Sequence, residues 1–321
     1  MIPIDKLLIV RGLTAFAFAV VLVGAWTRLA DAGLGCPDWP GCYGFLSVPS
    51  SDEAIAVANA RYPEAPFEAG KAWPEMIHRL VAGLLGLGIF GLAGHAWLRG
   101  RADEPRMLPL ALAVLVSAQA AFGMWTVTLK LWPQVVTLHL LGGFATLSLL
   151  WLYALRLADR APAAVPARRS VGAAAVAPGP ADGVSAEPRS DATPARGSPP
   201  GAGAIAGTGL RTLALAALLA LVAQIALGGW TSSNYAALAC PDFPTCQGTF
   251  APEADFARGF DVTQTIGPNY LGGRLEAPAR VAIHWTHRLG ALAVTGLLAF
   301  LALRLARTPG ARGAALAVAG L

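Results

Sequence analysis

The sequence predicts an all-α integral membrane protein, and its composition, the length of its apolar runs and a motif that occurs twice predict this fold class. Hydrophobic residues make up 55% of the 321 residues and charged residues only 13%. That is too little charge to cover the surface of a water-soluble globule. Several apolar runs reach the roughly 20 residues that a helix needs to cross the hydrocarbon of a bilayer. Membrane lipid is therefore the predicted solvent of this chain.

Six apolar runs are long enough to cross a bilayer as helices. They occupy residues 8–27, 74–98, 107–129, 132–156, 209–232 and 281–305. Lys6 precedes the first run and Arg11 lies near its start, but no small-residue cleavage site comes after it, so it is interpreted as a retained span rather than a signal peptide. A seventh run begins after Arg312 and is too short to cross. We therefore expect the second half to lack its final span.

The basic residues predict the orientation of the spans. They gather in the loops after the second, fourth and sixth runs, as Arg99, Arg101, Arg106, Arg156, Arg160, Arg168, Arg169, Arg304, Arg307 and Arg312. The positive-inside rule places these loops in the cytoplasm, and alternation then places the loops 28–73, 130–131 and 233–280 outside. The net charge of +5 is scattered over helix ends rather than collected on a patch, which argues against a nucleic-acid partner.

All four cysteines fall in the predicted outer loops, as Cys36 with Cys42 and Cys240 with Cys246. An oxidising outer compartment allows disulfides to persist. Because the two pairs lie in separate loops with the same C-x5-C spacing, we expect each pair to bond locally. A zinc site is the alternative, but it would need C-x2-C spacing or histidines near the cysteines in the sequence, which neither loop has.

A motif at the outer end of one span recurs in the other half of the chain. Gly24-Ala25-Trp26-Thr27 precedes the first cysteine pair, and Gly228-Gly229-Trp230-Thr231 precedes the second by the same interval. A shorter repetition, Gln119-x3-Gly123-x-Trp125-Thr126, matches Gln224-x3-Gly228-x-Trp230-Thr231. The duplication predicts a tandem repeat of two four-helix transmembrane bundles. We expect the N-terminal half at 1–158, a flexible cytoplasmic linker rich in Ala, Pro, Gly and Ser at 159–208, and the C-terminal half, with its bundle truncated, at 209–321.

Two histidines are candidates for binding a haem iron. His78 lies five residues after Trp73 and His139 seven residues after Trp132, so at 1.5 Å per residue both lie roughly 7 to 11 Å below the outer interface. Imidazoles at one depth on opposing helices can hold an iron from both sides. The alternative is that each histidine only forms a hydrogen bond with a neighbouring helix.

The span after each outer loop opens with a related motif, Glu-Met-Ile-His-Arg-Leu at 75–80 and His-Trp-Thr-His-Arg-Leu at 284–289. Their alignment pairs His78 with His287 and Glu75 with His284, which predicts His287 as a ligand and His284 as a residue beside the ligand or a channel. Two interpretations of Glu75 stay open. It acts as an acid, base or proton relay, or, with Pro74 at the first helical position, it complements the helix dipole from the first turn.

Taken together, the tandem C-P-D-W/F-P-x-C loops, E-M-I-H-R, His139 and H-W-T-H-R resemble the haem A synthase family over nearly the whole chain except the linker. The resemblance implies an eight-span enzyme of two four-helix halves that oxidises a ring methyl of haem O to the formyl group of haem A for cytochrome oxidase. It also implies a substrate haem in the first half, a six-coordinate haem b in the second, an essential glutamate at Glu75 and a disulfide between Cys36 and Cys42. The family's partner for His287 lies on an eighth span, which this sequence does not reach.

We therefore expect an oxidoreductase of the bacterial inner membrane, with its cysteine loops on the periplasmic side, O2 as oxidant and haem b as cofactor and electron relay. Haem O and haem A are the expected substrate and product. The expected partners are haem O synthase and an unidentified electron donor, and a homo-oligomer is compatible with the sequence. The alternative is a non-catalytic bis-histidine haem-binding electron carrier or haem-handling membrane protein, in which Glu75 would be dispensable.

Overall fold

The computed structural model describes residues 4–99, 106–160 and 208–320, and over these ranges the chain forms helices joined by loops, with two isolated β-bridges. The helices are α1 (Ile4–Leu29), α2 (Asp52–Arg61), α3 (Ala69–Arg99), α4 (Met107–Thr128), α5 (Pro133–Ala158), α6 (Thr208–Ser233), α7 (Phe256–Gly259), α8 (Ala277–Ala306) and α9 (Arg312–Ala319). The predicted linker at 159–208 lies almost entirely outside the described residues.

Six of these helices, α1, α3, α4, α5, α6 and α8, are long and apolar enough to cross a membrane. This confirms the predicted integral membrane all-α class and the six predicted spans. One boundary was wrong. Helix α3 begins at Ala69 rather than at Pro74, so Pro74 lies inside the helix. The apolar pattern starts near Pro74, but the polar turn before it is also helical, and an apolar pattern alone does not detect such a turn.

Helices α1, α3, α4 and α5 pack together as a bundle. Helix α1 contacts α3 and α5, and α4 contacts the same two helices. One core cluster takes residues from all four helices, namely Ala17, Val20, Leu85, Ile89, Leu112 and Leu150. Other apolar side chains point outward, such as Leu84 and Leu87 at 60% and 70% exposure. Outward leucines are stable in hydrocarbon, because lipid tails are as apolar as leucine itself.

The second half packs onto the first through α5 and α6, and α6 in turn contacts α8, which contacts α9. At the end of this interface nearest the cysteine loops, Arg28 donates to the Ser232 hydroxyl at 3.0 Å and lies over the ring of Tyr235. The Tyr235 hydroxyl donates back to Asp31 at 2.7 Å. Polar contacts therefore join the ends of α1 and α6.

A segment between α7 and α8 in the second half also covers the turn between α4 and α5. Trp132 donates its indole N–H to the Gln264 carbonyl at 2.9 Å, and the Gln134 amide donates to the Val262 carbonyl at 3.0 Å. The Tyr270 N–H donates to the carbonyl of Lys130 at 3.0 Å. The segment 262–270 thus lies above the helix that carries His139.

Candidate haem site and its outer loops

The first cysteine loop is anchored to α3 by an acid and a base one helical turn apart. Cys36 and Cys42, which the sequence analysis paired, are joined by a disulfide. Glu75 accepts the Cys36 N–H at 2.9 Å and forms an ion pair with Arg79, and the two side chains are 6% and 13% exposed. Arg79 also donates to loop carbonyls, those of Cys36, Asp38 and Gly41. The loop backbone is therefore held directly against the second and third turns of α3.

The second cysteine loop makes the same set of contacts with one change of residue. Cys240 and Cys246 form a disulfide, and Arg288 donates to the loop carbonyls of Cys240, Asp242 and Thr245. His284 takes the place of Glu75, since its Nδ1 accepts the Cys240 N–H at 3.2 Å and its Nε2 lies 3.0 Å from Nε of Arg288. A neutral imidazole accepts at only one nitrogen. His284 can therefore satisfy one of these two donors, whereas Glu75 satisfies both of its own.

An aspartate closes the turn inside each loop. Asp38 accepts the N–H groups of Tyr43 and Gly44, and Asp242 accepts those of Gln247 and Gly248. The Thr245 hydroxyl also donates to Asp242. This hydroxyl contact and the backbone N–H groups lower the pKa of Asp242 to about 2. Each C-P-D motif thus supplies an aspartate side chain as the acceptor for its own turn.

The predicted placement of Glu75 in the first turn of its helix was wrong. Helix α3 begins at Ala69 and has no acidic residue in its first turn. Glu75 therefore has no cap or dipole role there. Its partners are instead the Cys36 N–H and Arg79. Arg79 belongs to the motif E-M-I-H-R, but its contact with the cysteine loop was not predicted from the sequence. The recurrence of an arginine in H-W-T-H-R was the signal that could have revealed it.

His78 and His139 lie together inside the first bundle, where α3 and α5 bring their rings to a centroid separation of 6.4 Å. Two iron–nitrogen bonds of about 2 Å each, together with the radii of the two rings, account for nearly this distance. The Nδ1 atoms of both rings are buried and have no hydrogen-bond partner among the described residues. Buried polar atoms normally have a partner. The centroid separation therefore fits a haem iron held between the two imidazoles, and each Nδ1 atom is left for a partner on the protein side.

Each candidate ligand packs against a glycine of the preceding transmembrane helix. A Cβ added at Gly24 would lie 2.8 Å from Cε1 of His78, and one added at Gly123 would lie 3.4 Å from Cε1 of His139. The same relation holds between Gly228 and His287, at 3.3 Å. These glycines open the three G-x-W-T motifs of the sequence. Their role is to let an imidazole lie against the helix backbone.

His287 belongs to the second half and has a polar partner. The side-chain amide of Gln224 on α6 lies 2.9 Å from Nδ1 of His287 and donates to the His287 carbonyl at 2.9 Å. The structure thus separates His287 from its neighbour His284, which is bound to the cysteine loop. His95 is exposed near the end of α3.

Comparison with known protein families agrees with these motifs. A family model described as cytochrome oxidase assembly protein, COX15-CtaA, matches residues 8–178 and 196–321. The chain belongs to this family. A haem A synthase of Shewanella oneidensis is 42% identical over 90% of this chain and 76% of its own length. A haem A synthase of Methylobacterium nodulans is 29% identical over 94% of this chain and 75% of its own length.

A shorter similarity links this COX15-CtaA chain to a differently named protein. Protoheme IX farnesyltransferase 1 of Natronomonas pharaonis is 32% identical to it over 133 residues, which are 41% of this chain and 24% of that protein. The family match itself covers both cysteine loops and all the candidate histidines. It therefore ties the contacts described above to proteins concerned with haem.

Proposed function

We propose that this protein oxidises a ring methyl of haem O to the formyl group of haem A. The observation that carries the proposal is the pair His78 and His139, whose rings lie 6.4 Å apart inside the first bundle. The family and its haem A synthase relatives support the reaction. In this proposal, haem O is the substrate, haem A the product and O2 the oxidant.

The first half holds the substrate haem. His78 and His139 would hold the iron of this haem, and Gly24 and Gly123 keep their rings against α1 and α4. The haem would supply an iron centre able to activate O2, which requires that one of the two imidazoles leave the iron at that stage. The apolar walls of the bundle exclude water and hold the macrocycle in one orientation, as a buried core of this kind does in other helical bundles.

Glu75 is the proposed proton-transferring group, because it lies one turn before His78 on the same helix. Its contacts with the Cys36 N–H and with Arg79 fix the carboxylate at the outer end of the site. Both carboxylate oxygens are engaged, however, and this observation favours the second candidate function, a haem-binding electron carrier in which Glu75 is only a loop anchor. The two functions differ in whether haem A is formed.

The second half serves as the electron relay in this proposal, with haem b bound through His287. We propose the division expected from the sequence, with halves at 1–158 and 209–321 joined by the linker at 159–208. We place the protein in the bacterial inner membrane with both cysteine loops in the periplasm, where their disulfides would persist. Haem O synthase is the proposed supplier of substrate, supported by the segment shared with a protohaem farnesyltransferase. An unidentified donor supplies the electrons.

Haem extraction from cells tests the proposal. The protein is expressed together with a source of haem O in cells without their own haem A, and the haems are extracted and separated. Haem A, or its hydroxylated precursor, is expected only when the protein is present and should disappear in His78→Ala and His139→Ala variants. Haem b alone, bound to the purified protein without any haem A, would support the carrier and contradict the enzyme.

A further inference from the structure

The contacts of the candidate ligands reveal a unit smaller than a four-helix half. Three helix pairs, α1 with α3, α4 with α5, and α6 with α8, each place a glycine of the first helix against a histidine of the second. The position four residues before that glycine is Val20 in the first pair, Gln119 in the second and Gln224 in the third. The glycine–histidine contact is therefore repeated three times, but the residue four positions before the glycine differs between the first pair and the other two.

A second position changes together with the first. Three residues after the histidine, the chain has Gly142 in the second pair and Gly290 in the third. A Cβ at either glycine would overlap the side-chain amide of the facing glutamine, Gln119 or Gln224. These glycines therefore leave room for an amide beside the histidine.

The first pair fills the same space with apolar side chains. Val81 lies three residues after His78, and it packs against the buried cluster that contains Val20. Where the first helix has glutamine, the second helix has glycine at the facing position, and where the first helix has valine, the second helix has valine. Such matched exchanges indicate two alternative fillings of one site, with the polar filling present only in the second and third pairs.

In the third pair the glutamine contacts the imidazole directly, since its amide lies 2.9 Å from Nδ1 of His287. An imidazole that binds iron through Nε2 carries its proton on Nδ1 and needs an acceptor there. A glutamine amide offers both a donor and an acceptor. A half-turn of the Gln224 amide would present Oε1 to Nδ1 in place of Nε2, and it would give up the hydrogen bond from Nε2 to the His287 carbonyl. In the second pair, Nδ1 of His139 is buried and unpartnered, and the Gln119 amide lies over Gly142, one turn away.

We propose that Gln119 and Gln224 are positioning residues that hold the Nδ1 side of His139 and His287 and thereby orient Nε2 toward a haem iron. His78, which has Val20 at the equivalent position, is the ligand without such a partner. This inference rests on the proposed haem-binding function. It divides the two ligands of the first site into His139, held by the protein, and His78, held by the iron alone.

Matched substitutions test the polar contact separately from packing. Gln119→Met and Gln224→Met keep the length of the side chain but remove its acceptor, and Gln119→Glu and Gln224→Glu keep an acceptor. Gln134→Met is the control, because Gln134 donates to the Val262 carbonyl and takes part in none of the three glycine–histidine contacts. Each full-length protein is purified in detergent and loaded with haem b. The bound haem, its transfer rate to a haem acceptor, its electron paramagnetic resonance g values and its midpoint potential are then measured.

We expect the two methionine variants to release haem about 10- to 100-fold faster, the loss of metal affinity typical when the hydrogen-bond partner of a ligating histidine is removed. Their midpoint potentials should rise, because the acceptor on Nδ1 makes the imidazole a stronger donor to ferric iron. The glutamate variants should keep the slow release. Methionine variants with unchanged release rate, g values and potential, or a Gln134→Met variant with the same changes, would overturn the inference. If the unsubstituted protein bound no haem b, the proposed function itself would fall with it.

Discussion

Replacement of Glu75 by glutamine separates the two roles that this side chain can have. Glu75 accepts the Cys36 N–H at 2.9 Å and pairs with Arg79, and its side chain is only 6% exposed. Glutamine has the same shape but one acceptor oxygen, so it can satisfy one of the two donors and must turn its NH2 group toward the other. A lost hydrogen bond to a charged group costs about 1.5–3 kcal/mol, and a broken buried ion pair costs about 3–5 kcal/mol. We therefore expect the Cys36 loop to be destabilised by about 2–4 kcal/mol.

The acid–base role predicts a second and separable loss. Proton transfer by a positioned side chain contributes about 10²- to 10⁴-fold to a rate. Haem A formed per bound haem should therefore fall at least about 100-fold in Glu75→Gln. The assay measures bound haem and haem A yield in the same preparation, while hydrogen exchange at the Cys36 amide reports the opening of the loop. His284→Gln is the matched control, since glutamine can still accept the Cys240 N–H that His284 accepts.

Three outcomes decide between the readings. Equal haem A per bound haem from Glu75→Gln and the unsubstituted protein would refute the proton-transfer role. Unchanged exchange at the Cys36 amide would refute the loop anchor. A similar fall in haem A yield for Glu75→Gln and His284→Gln would show that the loss is not specific to the carboxylate of Glu75, because glutamine at either position can still accept the N–H of its loop cysteine.

The remaining predictions concern the contact between Gly24 and His78 and the two cysteine loops. Gly24→Ala should displace the His78 ring, because the new Cβ would lie 2.8 Å from it, and should therefore weaken haem b binding in a titration. Gly12→Ala on the same helix has open space around it and should bind haem b normally. Equal affinities of the two variants would contradict the contact between Gly24 and His78. Peptide mass mapping should find Cys36 bonded to Cys42 and Cys240 to Cys246, and free thiols or cross-loop pairs would contradict this. Because the pKa of Asp242 is lowered from 3.8 to about 2, its contribution to loop stability should be complete above pH 3.8 and lost as the pH falls through about 2. Amide exchange at Gln247 and Gly248 should therefore accelerate between these pH values, and Asp242→Asn should abolish that acceleration.

The fold was predictable because the bilayer imposes one dominant rule. A spanning segment must satisfy its own backbone hydrogen bonds and be apolar for about 20 residues, so apolar runs located all six spans. The same rule fails at helix ends that leave the hydrocarbon. The first turns of α3, from Ala69 to Pro74, are polar enough to read as loop, and that error placed Glu75 in the wrong turn.

The proximity of the two candidate histidines was predictable, but the residues that surround them were not. Depth below the interface brought His78 and His139 together correctly, since both distances follow from helical rise. Glu75 lies 39 residues after Cys36, and the periodicity of the sequence carries no information on how the chain between them returns to the cysteine loop. The contacts of Arg79 with the loop carbonyls were therefore not predictable. The repeated glutamines were visible in the sequence, but their facing glycines on another helix became meaningful only once the helices were packed.

The differences between the helix pairs all fall on the pair α1–α3. Its cysteine loop is anchored by Glu75, where the third pair uses His284, and its histidine is backed by Val20, where the other two pairs have glutamine. The contacts of α6 and α8 show that the second version of each feature already suffices to hold a cysteine loop and a histidine. Structural need therefore does not explain why α1–α3 departs from it. A carboxylate beside a ligand without a protein partner suits a site where protons move and an iron–imidazole bond must yield, so we expect the oxidation of the haem methyl to occur on the His78 side of the first bundle.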